Sequence, residues 1–208
     1  MYPSIRSVWV EFNRGLEGIV NGPYCDVLGL VTVGMGNKID PVRDALGLPW
    51  VSRDSGLPAT KEEIRAAWAA VKNDPLCATR GWRYALSLPS NNIRLNEDAI
   101  DALITARLDA NDEALKDHFP NFELWPADAQ LAVHSMVWAM GFGGLVGKFP
   151  KCCRALANAD FTAASAECKM VPEAGTLVMR NKLNASLLLN AAETMSSGGP
   201  PSVLAWSP

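Results

Sequence analysis

Two carboxylates separated by eight residues, Glu17 and Asp26, are followed after five more by the hydroxyl of Thr32. Glycines at 22, 29, 34 and 36 run through the same segment and let a backbone approach a ligand closely. Cleaving a glycosidic bond needs such a set, because one acid protonates the leaving oxygen while a second group works on the opposite side of the sugar. A Glu at a helix end, shielded by apolar neighbours, can keep its proton near neutral pH, and an Asp in a polar hairpin stays ionised. Two acids near a turn are by themselves ordinary solvated surface. The surrounding elements decide how much the pattern means.

Ile5, Val8, Trp9 and Phe12 fall at helical spacing between Pro3 and Gly15, which predicts a first helix ending near Glu17. The period then changes. Gly22, Pro23, Gly29, Gly34 and Gly36 punctuate short apolar stretches such as 30–33, the pattern of a small β hairpin or meander. Glu17 and Asp26 therefore belong to a helix-to-sheet junction. Residues 40–59, rich in Pro and Gly, read as an irregular excursion. Thr60 and Glu63 fit a capping box ahead of Ile64, Ala67, Trp68 and Val71, which share one helical face. A turn-rich stretch follows, and Asn96 then caps a helix with Ile100, Leu103, Ile104 and Leu108 on its apolar face. ADAQLAVHSMVWAM, opened by Pro126 and stopped by Gly141, is apolar almost all round and predicts a helix buried within a bundle. Two more helices are expected, one after Asp160 and one from about Thr176, and the tail beyond reads as a loose extension.

The 208 residues are 49% hydrophobic and 20% charged, a globular composition that excludes disorder, collagen and a disulfide miniprotein. Lys and Arg total 19 against 22 Asp and Glu, with no strongly basic stretch, so nucleic acid is not an expected partner. The start carries no signal-peptide pattern and no apolar run reaches a membrane span. Cys25, Cys77, Cys152, Cys153 and Cys168 lack paired CxxC spacing and read as buried thiols. Two histidines, His118 and His134, are too few for a His-rich metal centre. His134 sits within an apolar helix as a core residue, and the vicinal Cys152 and Cys153 lack the charged neighbours that lower a thiol pKa. Gly34 and Gly36 make no nucleotide loop, because the third glycine and the spaced Lys are missing. Trp138 either stacks on a sugar ring or fills the core.

The full pattern, EG followed by YxDxxGxxTxGxGN at this spacing, closely resembles the T4 phage lysozyme-like glycoside hydrolases, the endolysins that cleave peptidoglycan. IRLNEDAIDALITARLDANDEALKDHFP resembles the segment leading into and along that family's interlobe helix, DAQLAVHSMVWAMGFGG its central buried helix, and NADFTAASAECKM with RNKLNASLLLNAA its later helix pair. The resemblance implies an α+β, mainly helical, two-lobe lysozyme-like fold. Residues 15–98 would form a small α/β lobe with the catalytic segment and 99–116 a connecting helix. Residues 1–14 and 117–195 would form a helical lobe, and 196–208 a flexible tail.

For function, the resemblance implies a muramidase that hydrolyses the β-1,4 bond between N-acetylmuramic acid and N-acetylglucosamine. Glu17 would be the general acid, and Asp26 with Thr32 would hold the attacking water. That arrangement implies inversion, with carboxyls about 6.5 to 9.5 Å apart. Arg180 falls where the family has an arginine near the acid, and Gly36 and Trp138 count as supporting residues. No metal or organic cofactor is required. The implied partner is the peptidoglycan glycan strand, met by a monomer made in the cytoplasm, delivered by a holin or a secretion machine and acting on the wall in the periplasm. The pattern is not followed everywhere: Asn37 stands where several relatives have histidine, Ser135 replaces the usual Asn, and Ala139 replaces a polar residue. The alternatives are a lytic transglycosylase, against which Asp26 and Thr32 argue, and a non-catalytic binding or partner protein of the same shape.

Overall fold

A computed structural model describes residues 1–207. The fold is α+β and mainly helical, with 62% helix and 8% strand. Two compact units divide the chain, one of residues 17–107 and one that joins 1–16 to 108–208. Among the described residues no single helix is long and apolar enough to cross a membrane.

The unit of residues 17–107 starts at the C-terminal end of α1 (Pro3–Glu17), where Gly18 adopts a positive φ of 71° and stops the helix as only glycine does at low cost. A three-stranded antiparallel meander follows, β1 (Val20–Cys25), β2 (Val31–Gly34) and β3 (Asn37–Lys38), in the order β1-β2-β3. The expected irregular excursion over 40–59 is more regular than its Pro and Gly content suggests. It contains the short helix α2 (Val42–Leu46) and β4 (Val51–Ser52), which pairs antiparallel with β5 (Ile93–Arg94). The capping box forms as the sequence predicts: Glu63 N donates to Thr60 Oγ1 at 3.2 Å and Thr60 N to Glu63 Oε2 at 2.7 Å, opening α3 (Lys61–Asn73).

The turn-rich stretch holds a further helix, α4 (Pro75–Leu86). Asp74 caps it by accepting from Leu76 N at 2.8 Å, Pro75 supplies the first turn, and Gly81 at φ 74° kinks it. Both α3 and α4 pack on β1, burying Ile64, Ala67, Val71, Cys77 and Ala85. Asn96 Oδ1 accepts from Ala99 N at 2.9 Å at the start of α5 (Glu97–His118). The helix expected over 99–116 thus runs a few residues further at both ends.

In the other unit, α6 (Ala127–Met140) buries every residue from Ala127 to Trp138, so its polar side chains need internal partners. Gln130 Nε2 donates to the carbonyls of Phe122 and Trp125 at 3.0 and 3.2 Å. Asp128 accepts from Asn190 Nδ2 and Ala205 N, and His134 Nε2 meets Asp112 Oδ1 at 3.2 Å. The helices α7 (Phe142–Lys148) and α8 (Pro150–Ala157) follow, then α9 (Phe161–Glu167) and α10 (Thr176–Ser197). The helix α10 packs on α6 and α9.

The C-terminal segment, expected as a loose extension, is tied down instead. Pro201 O accepts from Ala127 N at 2.7 Å, Ser202 O from Ser4 Oγ at 2.9 Å, and the Trp206 ring sits edge-on to Phe12 at 5.2 Å.

Candidate functional site

Asp26 occupies the turn between β1 and β2, and its own side chain builds that turn. Its Oδ1 accepts from Leu28 N and Leu30 N, both at 2.9 Å, while Gly29 N donates to the Asp26 carbonyl at 3.0 Å. This is the local bonding that makes Asp a turn former. Gly29 takes the positive φ of 73° that the turn requires. Lys72, from α3, clamps the turn from below, with Nζ donating to Gly29 O at 2.9 Å and to Asp40 Oδ2 at 2.5 Å. The Lys72 hydrogen bond holds the Asp40 carboxyl below its ordinary range. Both backbone donors fall on Oδ1, so the carboxylate is oriented through one oxygen.

Thr32, in β2, pairs directly with Tyr24 of β1, and its Oγ1 donates to the Tyr24 carbonyl at 3.2 Å. Thr32 is only 4% exposed, so its hydroxyl is fixed by the strand pair. Glu17 sits at the last position of α1 and is exposed. The expectation of an acid shielded by apolar neighbours is therefore corrected: the helix ends at Gly18, and the neighbouring Ile19 is itself 38% exposed.

Tyr24 is where these groups converge. Burial raises its phenol pKa, the charges of Glu17 and Asp26 raise it further, and the hydrogen bond with Thr32 and the charge of Arg107 oppose them. Both carboxylates thus act electrostatically on one half-buried phenol. Gly36 joins the same group. A Cβ built on it would lie 3.8 Å from Glu17 Oε2 and 3.8 Å from Arg107 Nη1, and its φ of 72° favours glycine. Arg107 Nη1 also donates to Gly36 O at 2.9 Å. The same unit thus brings an exposed acid, an oriented carboxylate, a buried hydroxyl and a cation to the neighbourhood of β1 and β2.

Asn37 is held by the same unit, its Nδ2 donating to Leu103 O at 3.2 Å. Tyr24 and Arg107 were not singled out by sequence reasoning. Arg107 stands seven residues after Ile100 and four after Leu103, a lone cation on an apolar stripe, and that misfit was the available signal.

Arg180 and Trp138 belong to the other unit. Arg180 is 2% exposed, with Nη1 donating to Ser135 Oγ at 2.9 Å, Ser135 O at 3.2 Å and Asn13 Oδ1 at 3.3 Å. Ser135, where Asn was expected, serves as an acceptor for that guanidinium. Trp138 is 2% exposed and lies edge-on to Trp9 at 5.2 Å, so of its two readings the core one holds and the sugar-stacking role is corrected. Burial pushes Cys152 up to about 12 and Cys77 and Cys168 to about 11, the behaviour of inert thiols. Among the described residues no cluster of three His, Cys, Asp or Glu could hold a metal. No family model and no curated protein matches this sequence.

Proposed function

We propose that the protein is a lysozyme-like muramidase of the T4 phage type, hydrolysing the β-1,4 bond between N-acetylmuramic acid and N-acetylglucosamine in peptidoglycan. The observation that carries the reading is that the charges of Glu17 and Asp26 both act on the Tyr24 phenol, beside which Thr32 is paired in the neighbouring strand, in the order and spacing that motivate the resemblance. Glu17, open to solvent at a helix end, donates its proton to the scissile oxygen. Asp26, fixed through Oδ1, keeps a second oxygen to orient and deprotonate the attacking water on the other face of the sugar. Thr32 shapes the water site from the adjacent strand, and Arg107 balances charge beside Glu17. The reaction inverts the sugar carbon and requires no metal or organic cofactor. Lysis of the bacterial wall follows, with delivery by a holin or a secretion machine.

A clearing assay on purified sacculi, with product masses recorded, tests the reading. The wild type clears sacculi and releases reducing ends, while Glu17→Gln loses at least about 10²- to 10⁴-fold in turnover with an unchanged circular dichroism spectrum. Predominantly 1,6-anhydro products would establish a transglycosylase instead. Binding without clearing, unchanged in Glu17→Gln, would establish a non-catalytic module.

A further inference from the structure

In the unit of residues 17–107, β1, α4, β5 and the start of α5 enclose a cavity of about 520 Å³. Glu17, Asp26, Thr32 and Tyr24 do not line it. Val20, Leu86 and Ile100 form its apolar wall, and Trp82 stands at its edge with 42% of its surface exposed. The Arg83 guanidinium lies 4.7 Å from the Trp82 ring centroid and covers one face of the indole. A half-exposed indole beside a cavity presents a flat apolar surface to a ring.

Arg94 and Glu97 are the charged side chains that line this cavity. Arg94 is paired with Val51 through its backbone, while its side chain makes no ion pair or hydrogen bond among the described residues. Arg53 approaches from the neighbouring strand, since β4 pairs Val51 with Arg94 and Arg53 N donates to Asn92 O at 3.0 Å. Its Nη2 donates to Asn21 Oδ1 at 3.0 Å, but its buried Nε has no partner. Burial, and then the like charge of Arg94, lowers the Arg53 pKa, so the two guanidiniums repel each other with no carboxylate bonded to either. Gly22 makes the arrangement possible. A Cβ there would collide with Arg53 Nη2 and lie 2.6 Å from Leu86 Cδ2.

A guanidinium that no carboxylate bonds, beside a second whose buried Nε has no partner, matches a planar carboxylate. The cavity also holds Asn21, Asn96 and Glu97, whose oxygens accept from sugar hydroxyls. We propose that this cavity is a binding site for an acidic saccharide, its carboxylate on Arg94 and Arg53, its ring against Trp82 and its hydroxyls on the Asn and Glu oxygens. The inference stands on the cavity itself and does not require the lytic reading.

The test follows the indole N–H signal of Trp82 by NMR in the full chain, assigned through Trp82→Phe, during titration with N-acetylmuramic acid, N-acetylglucosamine and the dipeptide Ala-Ala. Glu17→Gln serves as a parallel background, and its Kd should equal that of the wild type whatever the catalytic outcome. N-acetylmuramic acid should shift the signal saturably, with N-acetylglucosamine and the dipeptide at least about tenfold weaker. Arg94→Gln, at an exposed position, and Arg53→Gln should each weaken the acid sugar at least about tenfold, as loss of a charged hydrogen bond predicts. Equal binding of the neutral sugar, equal binding of the dipeptide, an unchanged Kd in Arg94→Gln, or no saturable shift below about 20 mM would each overturn the proposal.

Discussion

His134 is fully buried, and among the described residues its ring bonds only through Nε2, to Asp112 at 3.2 Å, leaving Nδ1 without a partner. Burial lowers its pKa, although Asp112 opposes the shift, which favours the neutral ring in the folded protein. Burial raises the Asp112 pKa, but hydrogen bonds from His134, Lys116 and the N-terminal ammonium outweigh it and hold the carboxyl well below its ordinary range. The unfolded chain therefore binds a proton at His134 more readily than the folded chain does, once pH falls towards about 6.5. Stability falls with pH in that window by at most about 1.4 kcal/mol per pH unit, or about 2 kcal/mol between pH 6.5 and 5. Asp112 does not contribute there. Its stabilisation is present above about pH 3.9 and is lost only as pH falls towards its depressed folded value. His134→Gln keeps an N–H for Asp112 but does not titrate. Urea unfolding at pH 7 and pH 5 should show the wild type losing more stability than the variant, by up to about 2 kcal/mol. Equal losses in the two proteins would refute the reasoning.

Gly36→Ala forces an L residue to φ 72° while its methyl meets only ordinary contacts, so thermal unfolding should show a loss of about 1 to 2 kcal/mol. Activity at a temperature where the variant is fully folded should fall further, because the methyl lies between Glu17 and Arg107. Asp26→Asn keeps the turn acceptor but removes the charge, and sacculus clearing should drop at least about 10²-fold with little change in melting temperature. Trp206→Ala removes the edge-on contact with Phe12 and should cost about 1 to 2 kcal/mol, read as a melting temperature lower by about 3 to 6 °C.

What was legible in the sequence was what local chemistry decides. Thr60 and Glu63, Asn96, and the apolar run closed by Gly141 each carry their own start or stop signal, and each formed. The helix α4 was hidden because Gly81 breaks its period in the middle, and α7 because Gly143, Gly144 and Gly147 read as loop. Packing overrode propensity there, with Leu145 of α7 fully buried. The acid, the carboxylate and the hydroxyl could be selected from the segment 17–32 because turn and strand spacing are local. Tyr24 and Arg107 could not be assigned, because their meeting depends on how α5 lies against β3, a long-range contact that spacing does not encode. The tethering of residues 198–207 is likewise set by neighbours distant in sequence.

The division of the chain also has a consequence for its birth on the ribosome. Residues 17–107 form one contiguous stretch, whereas the other unit needs both ends of the chain. Trp9 must wait for Trp138, and Phe12 for Trp206. At ordinary elongation rates that delay is roughly 10 to 40 s. Through that interval the first helix, already made, shows its greasy stripe to solvent while its eventual cover is still being translated. Nascent chains stalled after residue 107 should therefore be the form that holdase chaperones grip most firmly.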